Sequence, residues 1–298
     1  MNATNLRQSS EKNSWLKLLV ILVFIIGYGV LNIMGGDSEL PIDFNKSKMI
    51  NLLKIGQVIS VIIVFILPAV LFAQLWTTKK IHYLGLTKIP HTTTILYALF
   101  AMLFAMPLIN WLSELNQQMN FPESFNNIET WMRNSEEKSA KLTEAFMNTT
   151  SVKGLLLNFF VVAFMAALSE EIFFRGIVQN VLVECLKNMH IAVWTGAILF
   201  SAFHMQFFGF FPRMIMGAFL GYLYLWSGSL WPSMLAHFIN NGIATLLFWL
   251  NKKGLISDNV ENIGVGNKQS ILVLFSIFIV GALIYLVYKN EKKRTLLI

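Results

Sequence analysis

The sequence predicts an all-α polytopic membrane protein, a bundle of about eight transmembrane helices around an intramembrane polar cavity. Three observations carry this. Of the 298 residues, 55% are hydrophobic and only 13% charged, against about 25% charged in an average soluble domain; the mean hydropathy is +0.59. A single soluble core of this size cannot hide so much apolar surface. The apolar residues fall into stretches near the roughly 20 residues that a helix needs to cross a bilayer. The few ionisable side chains inside those stretches gather on a small number of them rather than scattering.

The elements follow in chain order. The start is polar to Asn13 and apolar from Trp15 to Met34. That run exceeds a signal-peptide core of about 7–15 residues, and no small-x-small cleavage site follows it. Residues 15–35 are therefore read as the first anchor, with 52–76 and 94–113 as the second and third spans. Residues 114–153 form a long loop in which Ile128, Trp131, Met132, Leu142 and Phe146 stand among many charges. This pattern predicts an amphipathic helix, either a connecting helix or a lid over the membrane-embedded part. Five further spans are read at 154–175, 190–206, 212–227, 231–250 and 270–288. The fourth is expected to continue past Gly176 as an interfacial half, apolar at Ile177, Val178, Val181, Leu182 and Leu186 but polar at Gln179, Asn180, Glu184 and Lys187. The sixth is short, between "GFFPR" and "WSGSLWP", and Pro232 suits the first turn of the seventh. The two predict a tight helical hairpin.

The expected organisation is residues 1–150 with three spans and the amphipathic loop, 151–250 with the next four, and 251–298 with a loop and the last span.

The formal net charge is +7. Lys79, Lys80 and Lys88 share one loop, and Lys289, Lys292, Lys293 and Arg294 the C-terminal tail. Eight spans bring both clusters to one side. Basic loops mark the cytoplasmic face, so both termini are expected there, with Lys252 and Lys253 dissenting from the other side. The clusters are short and tied to spans, so the bilayer is the expected partner and nucleic acid is not. The lone Cys185 excludes an internal disulfide and a CxxC site.

Ionisable groups inside a membrane cost several kcal/mol and are functional candidates by default. The stretch "LSEEIFFRG" places Glu170, Glu171 and Arg175 on the fourth span; His204 ends the fifth; His237, Asn240 and Asn241 lie on the seventh. Glu171 and Arg175 are four apart on one helix face, in the favourable order for an ion pair. Glu170 points about 100° away and is left without that counter-charge, which suits a general base or acid. Glu170 and His204 can hold and deprotonate a water. His237 and Asn241, four apart, can polarise a carbonyl and stabilise an oxyanion. That set suffices for peptide-bond hydrolysis. Ser169 and Ser201 read as packing and backbone-bonding serines of membrane helices rather than nucleophiles. A catalytic zinc held by Glu170, His204 and His237 is the rival arrangement, although no HExxH helix is present. Two readings outside peptide hydrolysis use the same residues: a transporter with a proton or ion relay, and a non-catalytic membrane partner in which they glue helices together. No pseudo-repeat of broken helices supports the transporter.

The EExxxR of Glu170, Glu171 and Arg175, the FxxxH of Phe200 and His204 and the HxxxN of His237 and Asn241 resemble the three motifs of the CPBP intramembrane protease family. This family is also called Abi, or the type II CAAX prenyl endopeptidases. The motifs occur in order over about residues 150–250. The resemblance implies a helical bundle around a membrane-enclosed cavity, with Glu170 and His204 activating a water and His237 and Asn241 lining the oxyanion site. It further implies that Arg175 holds the glutamates through Glu171 and that Phe200 supports the cavity wall. It implies a membrane-associated peptide or protein substrate. The cofactor requirement is either none or a divalent metal such as zinc. The expected location is a bacterial plasma membrane. Bacterial relatives are linked to bacteriocin maturation and self-immunity, eukaryotic ones to prenylated CAAX proteins.

Overall fold

The computed structural model describes residues 14–35, 47–257, 263–266 and 269–296. The polar start before Ser14 and the last two residues of the basic tail lie outside the described residues. Nine helices of fifteen residues or more organise the described chain: α1 (Ser14–Gly35), α2 (Lys48–Trp76), α3 (Thr92–Gln117), α4 (Asn126–Met147), α5 (Val152–Leu186), α6 (Met189–Phe203), α7 (Phe210–Ser227), α8 (Trp231–Lys252) and α9 (Ser270–Leu296). Seven are long and apolar enough to cross a membrane; α6 is a shorter apolar helix, and α4 is the amphipathic one. Among the described residues no strand occurs. Helix is what these sequences must form in lipid, where no water serves an unpaired backbone N–H or C=O.

Surface chemistry agrees. On α1, Trp15, Leu19, Val23, Ile26 and Leu31 are exposed, and on α9 Ile271, Leu274, Phe275 and Phe278. Contiguous apolar faces of this extent belong against lipid tails. The core gathers on α5, where Phe173, Phe174, Ile177, Val178 and Val181 are buried against Phe65 of α2 and Phe200 and Phe203 of α6.

The second half of α5 differs from the expectation. Residues 176–182 are all buried, so this half is core and not interfacial. The helical alternation of polar and apolar side chains arises because each polar group finds a partner inside the bundle. Gln179 donates to Gly221 O at 3.0 Å, Asn180 donates to Tyr83 O, Gly176 O and Tyr224 Oη, and Glu184 pairs with Lys17 of α1 at 2.8 Å. Buried polar groups satisfied in this way lose the penalty that would drive them to an interface.

The two basic segments share one end of the bundle. Asn290 near the end of α9 donates to Thr93 and Thr94 at the start of α3, and Thr94 Oγ1 donates to Glu291. The Lys17–Glu184 pair, with Tyr83 donating to Glu184, brings the start of α1 to the same end. Helices α7 and α8 form the expected hairpin, turning at Gly228 in the left-handed conformation (φ 61°). Their turn packs on the 77–91 loop through Ser229 to Lys88 O and Trp231 to Leu86 O.

Candidate functional site

The site lies where α5, α6 and α8 meet, and local backbone departures position it. Helix α5 contains two π segments, Phe159–Met165 and Phe174–Gln179, on either side of the α-helical turns that carry Glu170 and Glu171. Single π turns inside α-helices recur at functional sites. The first segment offers Val162 O to Asn241 Nδ2 at 3.3 Å. Helix α6 stops at Phe203, and its C-cap His204 is set toward Glu170 of α5. Met205 in the left-handed region (φ 54°) then turns the chain toward α7.

Glu171 is fully buried and makes two contacts: Arg175 Nε stands 3.1 Å from its Oε2, and His237 Nδ1 lies 2.9 Å from its Oε1. The Arg175 guanidinium also donates to Gly217 O at 2.9 Å and lies 4.5 Å over the Phe200 ring. Phe200 is itself fully buried and meets both His204 and His237 edge-on, with centroids 4.9 and 6.0 Å away. One aromatic side chain thus backs a cation and both imidazoles.

Glu170 is the contrasting carboxylate. Its Oε2 is buried without a hydrogen-bond partner among the described residues. It faces His204 Nε2 at 3.7 Å and His237 Nε2 at 3.9 Å. The other nitrogen of each ring is engaged. His204 Nδ1 is 2.8 Å from Phe200 O; a carbonyl only accepts, so Nδ1 carries the hydrogen. His237 Nδ1 donates in the same way to the carboxylate of Glu171. A neutral ring on either side therefore turns its Nε2 lone pair toward Glu170.

In kind, the three facing atoms suit a divalent metal such as zinc: one carboxylate oxygen and two imidazole nitrogens, each ring anchored through its other N–H. In spacing they stand slightly too wide. Neighbouring ligands of a tetrahedral zinc with bonds of about 2.0–2.1 Å are about 3.3–3.4 Å apart, against 3.7 and 3.9 Å here. Among the described residues no three of His, Cys, Asp or Glu meet metal-site geometry as placed.

The residues singled out in the sequence are all near this point. Asn241 lies one turn from His237; its Oδ1 accepts from Asn240 and its Nδ2 gives one hydrogen to Val162 O. Both serines are committed to backbone, Ser169 to Met165 O at 2.7 Å and Ser201 to Phe210 O at 2.7 Å. Trp231, at the start of α8, packs on the 77–91 loop and donates to Leu86 O at 3.2 Å.

Sequence reading missed several contributors. Gly217 and Gly221 let α7 approach α5 closely enough for their carbonyls to take Arg175 and Gln179; a Cβ at Gly217 would stand 3.1 Å from Phe200 Cδ1. The signal was the small-xxx-small spacing of "GAFLG". Arg213, in the first turn of α7, was also missed. It donates to Gln206 O at 3.2 Å and Gln206 Oε1 at 2.5 Å, just past His204. Nothing in its local sequence separates it from a surface arginine.

Helix α4 closes this end of the bundle. Phe208 N donates to Glu136 Oε2 at 3.1 Å, Arg133 lies 4.3 Å over the Phe208 ring and Trp131 packs on Phe207. At its far end Phe146 meets Lys54 of α2. Arg133 holds the Glu129 carboxyl below its usual range, and on the exposed face Lys141 does the same for Glu137. The exposed Lys141–Glu137 pair contributes little stability.

Fold and site together define an all-α polytopic membrane protein with a Glu–His–Arg cluster enclosed between its helices. Within it, residues 152–243 match the family model described as "Type II CAAX prenyl endopeptidase Rce1-like". The resemblance carried by the three motifs is thus borne out over that segment, and the family so described is one of proteases. An uncharacterized protein, YpbD, of Bacillus subtilis (strain 168) is 32% identical over 83 residues, which cover 26% of this chain and 39% of that protein. The match therefore spans about two fifths of that relative's length. No solved structure matches significantly.

Proposed function

We propose that this protein is an intramembrane endopeptidase that hydrolyses a peptide bond of a membrane-associated peptide or protein, with residues 151–250 as its catalytic core. The observation that carries the reading is the buried, unpartnered Glu170 Oε2 facing Nε2 of both His204 and His237. A water between these groups has its proton acceptor in Glu170 and is oriented by His204. Attack on the scissile carbonyl forms the new C–O bond, and Glu170 returns the proton to the departing amine as the C–N bond breaks. His237, its Nδ1–H held by Glu171, lines the oxyanion site together with the second amide hydrogen of Asn241. Glu171 and Arg175 hold His237 in place, and Phe200 backs both rings. A bound zinc would be held by Glu170, His204 and His237 and would supply Lewis acidity to the water. The basic end of the bundle supports a cytoplasmic position for both termini in a bacterial plasma membrane.

Purified protein reconstituted in vesicles and offered a membrane-anchored peptide library tests the reading by mass spectrometry of the products. Glu170→Gln should lower turnover by about 100-fold or more, the scale of a general base, while unfolding as the unchanged protein does. Full turnover by this variant refutes the role of Glu170. Activity lost to a chelator and restored by zinc selects the metal form.

A further inference from the structure

Arg213 is a cation that the proposed hydrolysis does not use, and its position is informative. It sits beside the turn that follows His204, and one edge of its guanidinium is fixed by two bonds to Gln206. A guanidinium carries five N–H donors. Among the described residues no other hydrogen bond and no ion pair uses the remaining ones. Glu170 of α5 and Glu136 of α4 act on it electrostatically, yet neither stands at ion-pair distance. Glu136 is engaged instead by Phe208 N. Gly209 lies against the guanidinium, where a Cβ would come within 3.1 Å of Nη2, so that only a glycine leaves the arginine room in this position. A half-buried arginine with an anchored edge and spare donors, next to the reacting carboxylate and under the α4 helix, is arranged to receive an anion in two-point geometry.

We propose that Arg213 is a specificity-determining residue whose guanidinium binds a carboxylate of the peptide, from an acidic side chain or a free C-terminus, close to the bond attacked at Glu170. The proposal rests on the endopeptidase reading for the identity of its ligand. Simple capping of the Gln206 turn explains the anchored edge but not the unused donors in the field of Glu170 and Glu136.

Binding tests it without turnover. Three fluorescent pools of short random peptides are titrated by anisotropy against full-length Glu170→Gln in nanodiscs: free C-terminus without Asp or Glu, amidated with Asp or Glu, and amidated without either. One of the first two pools should bind about 10- to 100-fold more tightly than the third, the range of a hydrogen-bonded charge, and the winner identifies the source of the carboxylate. Adding Arg213→Gln should abolish the preference while the third pool binds as before; Arg213→Lys should keep part of it, which a turn-capping role would not predict. Glu136→Gln, with the neighbouring carboxylate removed, should bind the favoured pool at least as tightly. Equal binding of all three pools, or a preference that survives Arg213→Gln, overturns the proposal even if the protein cleaves peptides. An Arg213-dependent preference in a protein that cleaves nothing overturns the endopeptidase reading and leaves the carboxylate site standing.

Discussion

Glu171→Gln separates a buried ion network from a decorative one. In the protein Glu171 is fully buried, 3.1 Å from Arg175 Nε and 2.9 Å from His237 Nδ1. The glutamine oxygen can still accept from His237, so the ring keeps its tether. What is lost is the charge, and Arg175 is left buried beside a neutral group. Breaking a buried pair from one side costs about 3–5 kcal/mol. The lower end applies here, because Glu170 also acts on Arg175 and Gly217 O keeps its bond. The assay is unfolding by denaturing detergent in mixed micelles, with turnover measured in parallel. We expect a loss of about 3 kcal/mol and a fall in turnover of about 10- to 100-fold, as for groups that orient a ligand or base through another residue. Glu171→Gln combined with Arg175→Met should be more stable than Glu171→Gln alone, since no orphaned charge remains and the methionine still covers Phe200. A single-variant loss under about 1 kcal/mol, the scale of an exposed pair, would refute the reasoning.

Further outcomes follow from the same geometry. Gly217→Ala pushes a methyl to 3.1 Å from Phe200 and should cost about 1–3 kcal/mol by overpacking, whereas Gly281→Ala, with nothing within 4 Å, should be neutral or stabilising in the same titration. Ser169→Ala and Ser201→Ala should leave turnover within an order of magnitude, because both hydroxyls serve backbone carbonyls; loss of all product with either would revive a serine nucleophile. Lys17→Met should destabilise the protein by leaving Glu184 buried without its cation, and Lys17→Met with Glu184→Gln should recover most of the loss.

The spans were legible because lipid imposes one rule on every crossing segment, a long apolar run with its backbone bonds closed locally. The pairing of Glu171 with Arg175 was legible for the same kind of reason: four residues of helix decide it. The second half of α5 was not legible, since Gln179, Asn180 and Glu184 look the same whether they face headgroups or partners on other helices. Their partners, Gly221, Tyr83 and Lys17, lie 42, 97 and 167 residues away along the chain. The role of α4 was half legible. Its amphipathic face predicts a helix that lies on something, while the 207–209 turn that it covers becomes a landing site only because α6 ends early. Arg213 was illegible because the two carboxylates that act on it come from other elements.

The adjacency of the two glutamates now has a geometric account. Neighbouring residues on a helix diverge by about 100°, so their carboxylates cannot occupy one point, but they can reach two points on the same small ring. The imidazole of His237 offers those points. Glu171 takes Nδ1 at 2.9 Å, while Glu170 stands 3.9 Å from Nε2 with its oxygen still open. A pair spaced four apart would stack on one face and compete for the same nitrogen. The adjacent pair instead grips one side of the ring and leaves a carboxylate on the other, and His204 at 3.7 Å completes that open side from a different helix. Arg175 compensates the gripping glutamate through an ion pair and so leaves Glu170 the carboxylate with no such contact. On this argument the two positions are not interchangeable: exchanging the free glutamate for glutamine should remove turnover with little effect on stability, and exchanging the gripping one should damage both.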